Sequence, residues 1–157
     1  MAVTVSEKPL RVRRARPDDL DALVGFAAEE ARDAEGAEKQ AATVRRGIAA
    51  ALADERLGRY WVLVDAADRP LGNVSAVTEW SNWHAGFYWW VQSLYIEPAH
   101  RGRGHAARLL DAVAGEARVQ GGLDLRLYVF SENRRALRAY EKLGFHETAY
   151  RIMTREI

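Results

Sequence analysis

Residues 97–110 read EPAHRGRGHAARLL, and they place two glycines where a helix has to begin. Glycine is a poor helix residue, so Gly102 and Gly104 at this point indicate a turn whose backbone comes close to a ligand. A helix N-terminus offers backbone N–H groups without intrahelical acceptors and the positive end of the helix dipole. We therefore predict an anion-binding turn flanked by Arg101 and Arg103. The alternative interpretation is a surface loop that arginines keep soluble.

Hydrophobic periodicity on both sides of this turn predicts an α+β domain. Alternating or aromatic runs predict six strands, at residues 10–15, 60–65, 71–79, 87–96, 123–129 and 146–155. Helical spacing of apolar residues predicts four helices: one after Pro17, one after Gly36 that closes near Gly58, one over 104–120 and one over 133–143. No linker or repeat interrupts the pattern, so we expect one domain over residues 1–157, with three layers built on one sheet.

The composition excludes several kinds of protein. The 157 residues carry 23 basic and 22 acidic side chains, and a formal net charge of +1 lacks the basic footprint of a nucleic-acid-binding protein. The absence of cysteine excludes disulfides, cysteine zinc sites and a cysteine nucleophile, and we expect no metal. No apolar run has the length of a signal peptide or a membrane span, so we expect a cytoplasmic protein without a membrane partner.

A second stretch, YVFSENRRALRAYEKLGF at 128–145, follows a predicted strand and opens a helix near Asn133. Tyr140 lies seven residues further on, two turns along the same helix face. Together with VQSLYIEPAHRGRGHAARLL at 91–110, this stretch resembles the two main motifs of the GNAT superfamily of acyl-CoA-dependent N-acyltransferases. The order of strands and helices is similar to that superfamily over almost the entire chain.

The resemblance implies a three-layer GNAT-like fold with one mixed, largely antiparallel sheet. Helices cover both faces, and the sheet is splayed between strands 87–96 and 123–129. In the family, an Arg/Gln-x-x-Gly-x-Gly/Ala turn binds the pyrophosphate of coenzyme A, and the strand before it offers backbone groups to pantetheine. The resemblance therefore implies acetyl-CoA as a cosubstrate, held by Leu94, Tyr95, Ile96, Arg101, Gly102, Arg103, Gly104, His105, Ala106, Ala107, Asn133 and Tyr140.

Acetyl transfer to an amine needs a neutral nucleophile, a stabilised oxyanion and a proton for the departing thiolate. Without cysteine an acyl-cysteine intermediate is impossible, so we expect direct attack in a ternary complex. Tyr140 matches the family tyrosine near the sulfur, and the resemblance implies that its phenol supplies that proton. Taken alone, Tyr140 can equally be a core aromatic, and Asn133 can be a helix N-cap.

The group that takes the proton from the amine departs from the family pattern. Many relatives carry a glutamate on the strand before the pyrophosphate turn, whereas the matching positions here are Trp90 or Gln92, and neither is a base. Glu79, at the end of the preceding strand, is our first candidate, acting directly or through water. His84 is the second, because its ordinary pKa suits neutral pH. Either can instead be a solvated loop residue.

Two groups of side chains bear on the acceptor and on partners. Acidic residues around the first two helices can attract a cationic amine or can form a solvated surface: Glu29, Glu30, Asp33, Glu35 and Glu38. Adjacent Trp89 and Trp90 must face opposite sides of the sheet. We expect one of them in the core, while the other, with Trp80 or Trp83, lines an acceptor pocket or a homodimer contact.

The sequence thus predicts an N-acetyltransferase that transfers an acetyl group from acetyl-CoA to a primary amine of a small molecule. The alternatives are an enzyme that acts on the amino group of a protein or peptide, and a catalytically silent CoA-binding regulatory domain. A small pocket closed by tryptophans favours the first, and an open groove favours a protein acceptor.

Overall fold

The structure, a computed structural model, describes residues 9–36 and 38–157. The expected domain therefore includes residues 1–8 and 37, which lie outside the described part. The described strands are β1 (Arg11–Arg14), β2 (Arg59–Val64), β3 (Pro70–Ser81), β4 (Gly86–Ile96) and β5 (Asp124–Leu127). The described helices are α1 (Leu20–Glu35), α2 (Ala41–Ala53), α3 (His105–Val119) and α4 (Arg134–Lys142). None of these helices is long and apolar enough to cross a lipid bilayer.

The five strands form one sheet in the order β1-β2-β3-β4-β5. The pairings from β1 to β4 are antiparallel, and β4 pairs with β5 in parallel. The parallel pair requires a crossover, because two parallel strands cannot be joined by a tight turn, and α3 provides it. This arrangement confirms the mixed, largely antiparallel sheet expected from the sequence.

Helices cover both faces of the sheet. Neighbouring residues of a strand point to opposite faces, and in β2 the residues on both faces are apolar. Trp61 and Leu63 of β2 pack in the cluster that contains the apolar face of α3. Val62 and Val64, between and after them, pack with Leu23 and the rest of the α1–α2 layer. The three-layer expectation is confirmed.

The β1 end of the sheet is joined to the start of α1 by a buried ion pair. Asp19 is 5% exposed, accepts a hydrogen bond from the backbone N–H of Arg16 at 2.7 Å, and pairs with the guanidinium of Arg13 at 2.8 Å. The same guanidinium contacts Asp68 at 2.9 Å. Asp19 thus holds the connection between β1 and α1 in one conformation.

A β-bulge at Gln92 bends β4 and opens the sheet. Ser75 of β3 faces Ser93, yet the next residue of β3, Ala76, faces Val91, so Gln92 has no opposite residue. The pairing between β4 and β5 ends at the same height, with Val91 opposite Leu127. Beyond it the two strands diverge, which confirms the predicted splay and explains why β5 is shorter than the predicted 123–129.

The prediction of a last strand over 146–155 is wrong. Residues 146–157 form no strand and are exposed throughout, with Tyr150 at 85% and Met153 at 93% exposure. The alternating pattern shows that the segment is suited to a strand, but a strand exists only when it pairs with another. In the described part of the chain nothing pairs with the outer edge of β5.

Candidate functional site

The turn between β4 and α3 has the backbone that its glycines require. Gly102 and Gly104 have φ angles of 73° and 79°, in the left-handed region that other residues enter with strain. At both positions an added Cβ atom would meet no atom within 4 Å, so the space above them is open. Gly104 directly precedes α3, and its carbonyl accepts from the N–H of Arg108 at 3.3 Å. The N–H groups of the first turn of α3 have no intrahelical acceptor, and they border the open space.

The residues that follow Gly104 keep their backbone accessible. His105 begins α3, and Ala106 and Ala107 complete its first turn with small side chains. Arg103 lies at the exposed tip of the turn. The turn thus combines N–H donors, a helix N-terminus and room for a ligand, the chemistry of an anion site.

Arg101 has a role within the chain that the sequence did not indicate. Its Nε donates to the carbonyl of Ile96 at 2.7 Å, and its terminal nitrogen donates to Asp33 at 2.8 Å. The guanidinium also lies 5.3 Å from the ring centroid of Tyr95. Arg101 therefore ties the end of β4 to α1. The Tyr95 side chain is buried and stacks on Phe26, so only its backbone can face the opened gap.

Backbone groups of β4 beyond the bulge point away from β3, into the gap between β4 and β5. The N–H of Leu94 donates to a carboxylate oxygen of Glu30 at 3.0 Å, and the carbonyl of Ile96 accepts from Arg101. Glu30 is a half-buried residue of α1. The Leu94 N–H is thus a donor that already engages a charged acceptor at the centre of the gap.

Glu30 also influences two tyrosines. Burial raises the pKa of Tyr140, and the negative charge of Glu30 raises it further. Burial and the same charge raise the pKa of Tyr60, although a hydrogen bond with Ser75 opposes the shift. Both phenols therefore keep their protons at neutral pH, and Tyr140 can serve as a proton donor. Tyr140 contacts the edge of Phe145, with ring centroids 5.8 Å apart.

A cleft lies between the α1–α2 layer and the sheet, directly beside the bulge. Its volume is ≈ 350 Å³, and Tyr60, Ser75, Gln92 and Ser93 contribute polar groups to a wall that is otherwise largely apolar. A second cavity of ≈ 270 Å³ shares Tyr60, Ser75 and Gln92 with it and extends along α2. The pair forms a concave site of the size that suits a small ligand.

Glu79 lies near the end of β3, the central strand, on the same face as the cleft. It is exposed and accepts a hydrogen bond from the indole nitrogen of Trp90 at 3.1 Å. Trp90 stacks on Tyr128, which lines the cleft, with ring centroids 4.5 Å apart. Trp90 and Tyr128 therefore lie between Glu79 and the cleft.

The aromatic residues separate as the alternation predicts. Trp89 is the core member of the adjacent pair, at 1% exposure, and Trp90 is half-buried. Trp80 and Trp83 are exposed at the tip of the β3–β4 hairpin and do not line the described cleft. The backbone N–H of His84, in the same hairpin, donates to the hydroxyl of Ser81 at 3.3 Å.

Asn133 caps α4, since its side-chain oxygen accepts from the N–H of Ala136 at 3.1 Å. The N-cap that the sequence allowed for Asn133 is therefore present. The cap fixes the start of the helix that carries Tyr140.

Sequence reasoning missed the position of Glu30, together with Tyr60, Ser75 and Ser93 in the cleft wall. A signal was available for Glu30: it lies seven residues after Leu23 and four after Phe26, both buried. An acid that continues the buried stripe of an amphipathic helix is unusual and points to a polar site beneath the helix.

The comparisons with known proteins agree with this geometry. The chain matches the model of the acetyltransferase (GNAT) family over residues 25–145. It is 30% identical over 90 residues to an L-methionine sulfoximine/L-methionine sulfone acetyltransferase of Salmonella typhimurium. That match covers 57% of this chain and 53% of the relative, so it spans about half of the curated protein.

Two solved structures show the likeness in three dimensions. A possible acetyltransferase from Clostridium difficile 630 is 32% identical, with a TM-score of 0.87 over 94% of this chain and 97% of the other. An aminoglycoside N-acetyltransferase in complex with CoA shares the fold at 16% identity, with a TM-score of 0.80 over 99% of both chains. The family match spans well over half of the chain, and it establishes that the chain belongs to the acetyltransferase (GNAT) family.

Proposed function

We propose that the protein, as one N-acetyltransferase domain over residues 1–157, transfers an acetyl group from acetyl-CoA to a primary amine of a small molecule. The amine attacks directly in a ternary complex. The observation that carries the proposal is the hydrogen bond from the Leu94 N–H to Glu30 where the β4–β5 pairing has ended, next to Gln92 and Ser93, which line a small cleft.

The residues of the turn and gap fit acetyl-CoA. A diphosphate needs N–H donors and close backbone approach, which residues Gly102 to Ala107 offer around an open space. A pantetheine arm carries amides, and the backbone groups of Leu94 and Ile96 point into the gap. Tyr95 contributes its backbone only, and Arg101 supports the turn by fixing the end of β4. Asn133, the N-cap of α4, would also contact the cofactor.

Acetyl-CoA supplies the thioester and its acyl carbon. The Leu94 N–H would donate to the carbonyl oxygen of that thioester once the Glu30 carboxylate, which now accepts from it, releases it. Tyr140 holds the proton that the departing thiolate takes, since burial and the charge of Glu30 keep its phenol protonated.

Two carboxylates and a histidine can receive the proton of the amine. Glu79 remains our first candidate, and its exposure and contact with Trp90 require a water to relay the proton to it. His84 remains the second candidate, and Glu30 is a third, because its carboxylate accepts from the Leu94 N–H at the gap. Its negative charge also attracts an alkylammonium ion, which stays protonated until it reaches a base.

The cleft supports a small acceptor. A volume of ≈ 350 Å³ with polar side chains in its wall suits an amino acid or a similar amine better than a folded protein surface. The Salmonella relative, by its name, acetylates L-methionine sulfoximine and L-methionine sulfone, which are small amino-acid analogues.

A thiol-release assay with acetyl-CoA tests the substrate class, using small amino acids, amino-acid analogues, polyamines, aminoglycosides and peptides. We expect turnover with at least one small amine and none with peptides. Val44→Trp, which fills the cleft from α2, should raise KM for the amine and leave KM for acetyl-CoA unchanged. Ala50→Trp, on the exposed side of the same helix, is the matched control. Turnover of peptides alone, unaffected by Val44→Trp, would instead establish a protein acceptor.

The pH dependence of kcat/KM distinguishes these candidates. Glu79→Gln should lower turnover and weaken its rise with pH if Glu79 is the base, with acetyl-CoA binding intact. Glu30→Gln should do so if Glu30 is the base, and His84→Ala should do so if His84 is. Wild-type rates in all three variants would show that the amine arrives neutral and that no side chain takes its proton.

A further inference from the structure

The wall of the cleft carries no charge of its own. Among the described residues that line the two cavities there is no lysine, arginine or histidine, and no aspartate or glutamate. The polar side chains of the wall are neutral hydroxyls and an amide, from Tyr60, Ser75, Gln92 and Ser93. Such groups form hydrogen bonds with a ligand but do not neutralise its charge. A charge on the acceptor must therefore be balanced from beside the wall.

The charged group beside the wall is the carboxylate of Glu30. Ala27 lines the cleft, and Glu30 lies three residues later on the same face of α1. Its carboxylate accepts from the N–H of Leu94, the residue after Ser93 of the cleft wall. Burial and the negative charge of Glu30 both raise the pKa of Tyr60, which lines both cavities. The cleft therefore lies in the field of a negative charge.

The arginines of α1, α2, β5 and the glycine turn do not line the cleft. Four of them form ion pairs with acids: Arg32 with Glu29, Arg45 with Asp21, Arg101 with Asp33 and Arg126 with Asp124. Arg46 of α2 lies two residues from both Val44 and Ile48, which line the cleft, so it is on the opposite side of the helix. Among the described residues, these arginines are therefore not placed to balance an anion in the cleft.

The polar network beneath the wall has an acceptor to spare. Asn73 is 3% exposed, and its amide nitrogen donates to Oγ of Ser93 at 2.9 Å. The same Oγ lies 3.2 Å from the hydroxyl of Ser75. Oδ1 of Asn73 is buried and accepts no hydrogen bond from the described part of the chain. A ligand that donates N–H groups satisfies such a network better than a carboxylate, which only accepts.

We infer that the acceptor is a cationic amine without a carboxylate, so that the protein selects alkylamines and amino-acid amides over free amino acids. The inference rests on the proposed function and names the class of small amine that the cleft takes. An ammonium group brings a positive charge, which Glu30 balances, and N–H donors for the neutral oxygens of the wall. A carboxylate in the same place would have no counterion and would lie beside Glu30, and both conditions raise its free energy.

Matched compounds separate charge from shape. Leucine, methionine and phenylalanine are each compared with the amide and with the decarboxylated amine of the same side chain. Thiol release from acetyl-CoA gives kcat/KM, and calorimetric titration of the CoA-bound protein gives affinity without turnover. The amide and the amine should each exceed the free acid by about 100-fold or more in both quantities, because only the acid places a negative charge beside Glu30.

The two readouts distinguish this inference from the proposed function. A free acid that is used and bound as well as its amide overturns the charge selection and leaves the acetylation of small amines standing. Selective binding of the amides without any turnover supports the charge selection and contradicts the proposed function. A CoA-bound protein that binds none of the compounds contradicts both.

Two variants test the origin of the selectivity. Val44→Lys adds a cation to the cleft wall, and Glu30→Gln removes the anion beside it while keeping the size of the side chain. Each should lower the amide-to-acid ratio of affinities by about 10-fold or more. Ala50→Lys, on the exposed side of α2, is the matched control and should keep the wild-type ratio. A wild-type ratio in both Val44→Lys and Glu30→Gln would overturn the inference.

Discussion

The two ends of the sheet are closed in opposite ways. β1 and β5 are both edge strands of four residues. At the β1 end, Arg11, Arg13 and Arg16 all pair with Asp68, so the edge carries a charged network. At the β5 end, Leu123, Tyr128 and Phe130 are exposed, and the charges on the strand form one ion pair between Asp124 and Arg126. Charge on an edge discourages pairing with other chains, so β1, with the larger charged network, is the better protected edge.

The comparison also separates stability from chemistry. The β1 end contains a buried ion pair and contributes nothing to the candidate site. The β5 end contains the gap and α4, the helix that carries Tyr140 and has no buried residue. We therefore expect substitutions at the first end to change the free energy of unfolding, and substitutions at the second to change turnover or ligand binding.

The largest effect is expected for Tyr140→Phe, at the open end. The change keeps the ring but removes the proton, and loss of a general acid typically lowers the rate by about 100- to 10,000-fold. The free energy of unfolding and acetyl-CoA affinity should change little. Steady-state kinetics and calorimetric binding check this, with Tyr150→Phe at an exposed position as the control. If turnover of Tyr140→Phe stays within a few-fold of wild type, Tyr140 is a packing residue and not the general acid.

At the closed end, Asp19→Ala should destabilise the protein by about 1.5–3 kcal/mol, because the buried guanidinium of Arg13 loses its closest carboxylate and keeps only Asp68. The kcat of the folded protein should be unchanged. Urea unfolding measures the loss, and Asp18→Ala, at the exposed neighbouring residue, is the matched control. Equal stability of the two variants would show that Asp68 alone satisfies Arg13.

The same pair gives a pH dependence. Burial alone would raise the pKa of Asp19, but hydrogen bonds from Arg13 and from the backbone of Arg16 outweigh it and hold the pKa below its ordinary value. The contribution of a depressed carboxyl is complete above the unfolded pKa of ~3.9 and is lost as the pH falls through the folded pKa. The stability difference between wild type and Asp19→Asn should therefore be constant from pH 7 to about 4.5 and shrink below. A stability difference that grows as the pH falls would contradict a lowered pKa for Asp19.

The smallest effect on stability compares two glycines at opposite ends of α3. Gly104→Ala and Gly121→Ala each place a Cβ on a left-handed backbone with open space around it, and each should cost about 1 kcal/mol. Only Gly104→Ala should also weaken acetyl-CoA binding, measured by titration calorimetry. Equal acetyl-CoA affinities in the two variants would show that the turn does not bind the diphosphate.

How far the sequence leads depends on whether a feature is local. Helix α3 and strand β2 lie within one residue of their predicted bounds because their apolar periodicity and their ends are local properties. The left-handed glycines of the turn were predictable for the same reason. Segment 146–155 failed because its pattern cannot reveal whether a partner strand exists.

The candidate site shows the same division. Gly102 and Gly104 follow from a motif, whereas Glu30 meets Leu94 only after α1 docks on the sheet, 64 residues apart in sequence. The bulge at Gln92 has no sequence signature of its own, since no glycine or proline stands there. Contacts set by tertiary packing are therefore the part of the site that a single sequence does not reveal.

The bulge at Gln92 changes the phase of β4. Before it, the odd-numbered Trp89 and Val91 point towards α3, whereas after it the odd-numbered Tyr95 packs against α1. Consecutive residues of an uninterrupted strand always point apart, yet Gln92 and Ser93 both line the cleft, and Ser93 bonds to Asn73 from the cleft side. A deletion of Gln92 would leave the glycine turn and the Tyr140 helix unchanged in sequence while turning the remainder of the strand over. The bulge therefore sets the direction of the backbone groups that follow it, and Leu94, two residues later, directs its N–H into the gap.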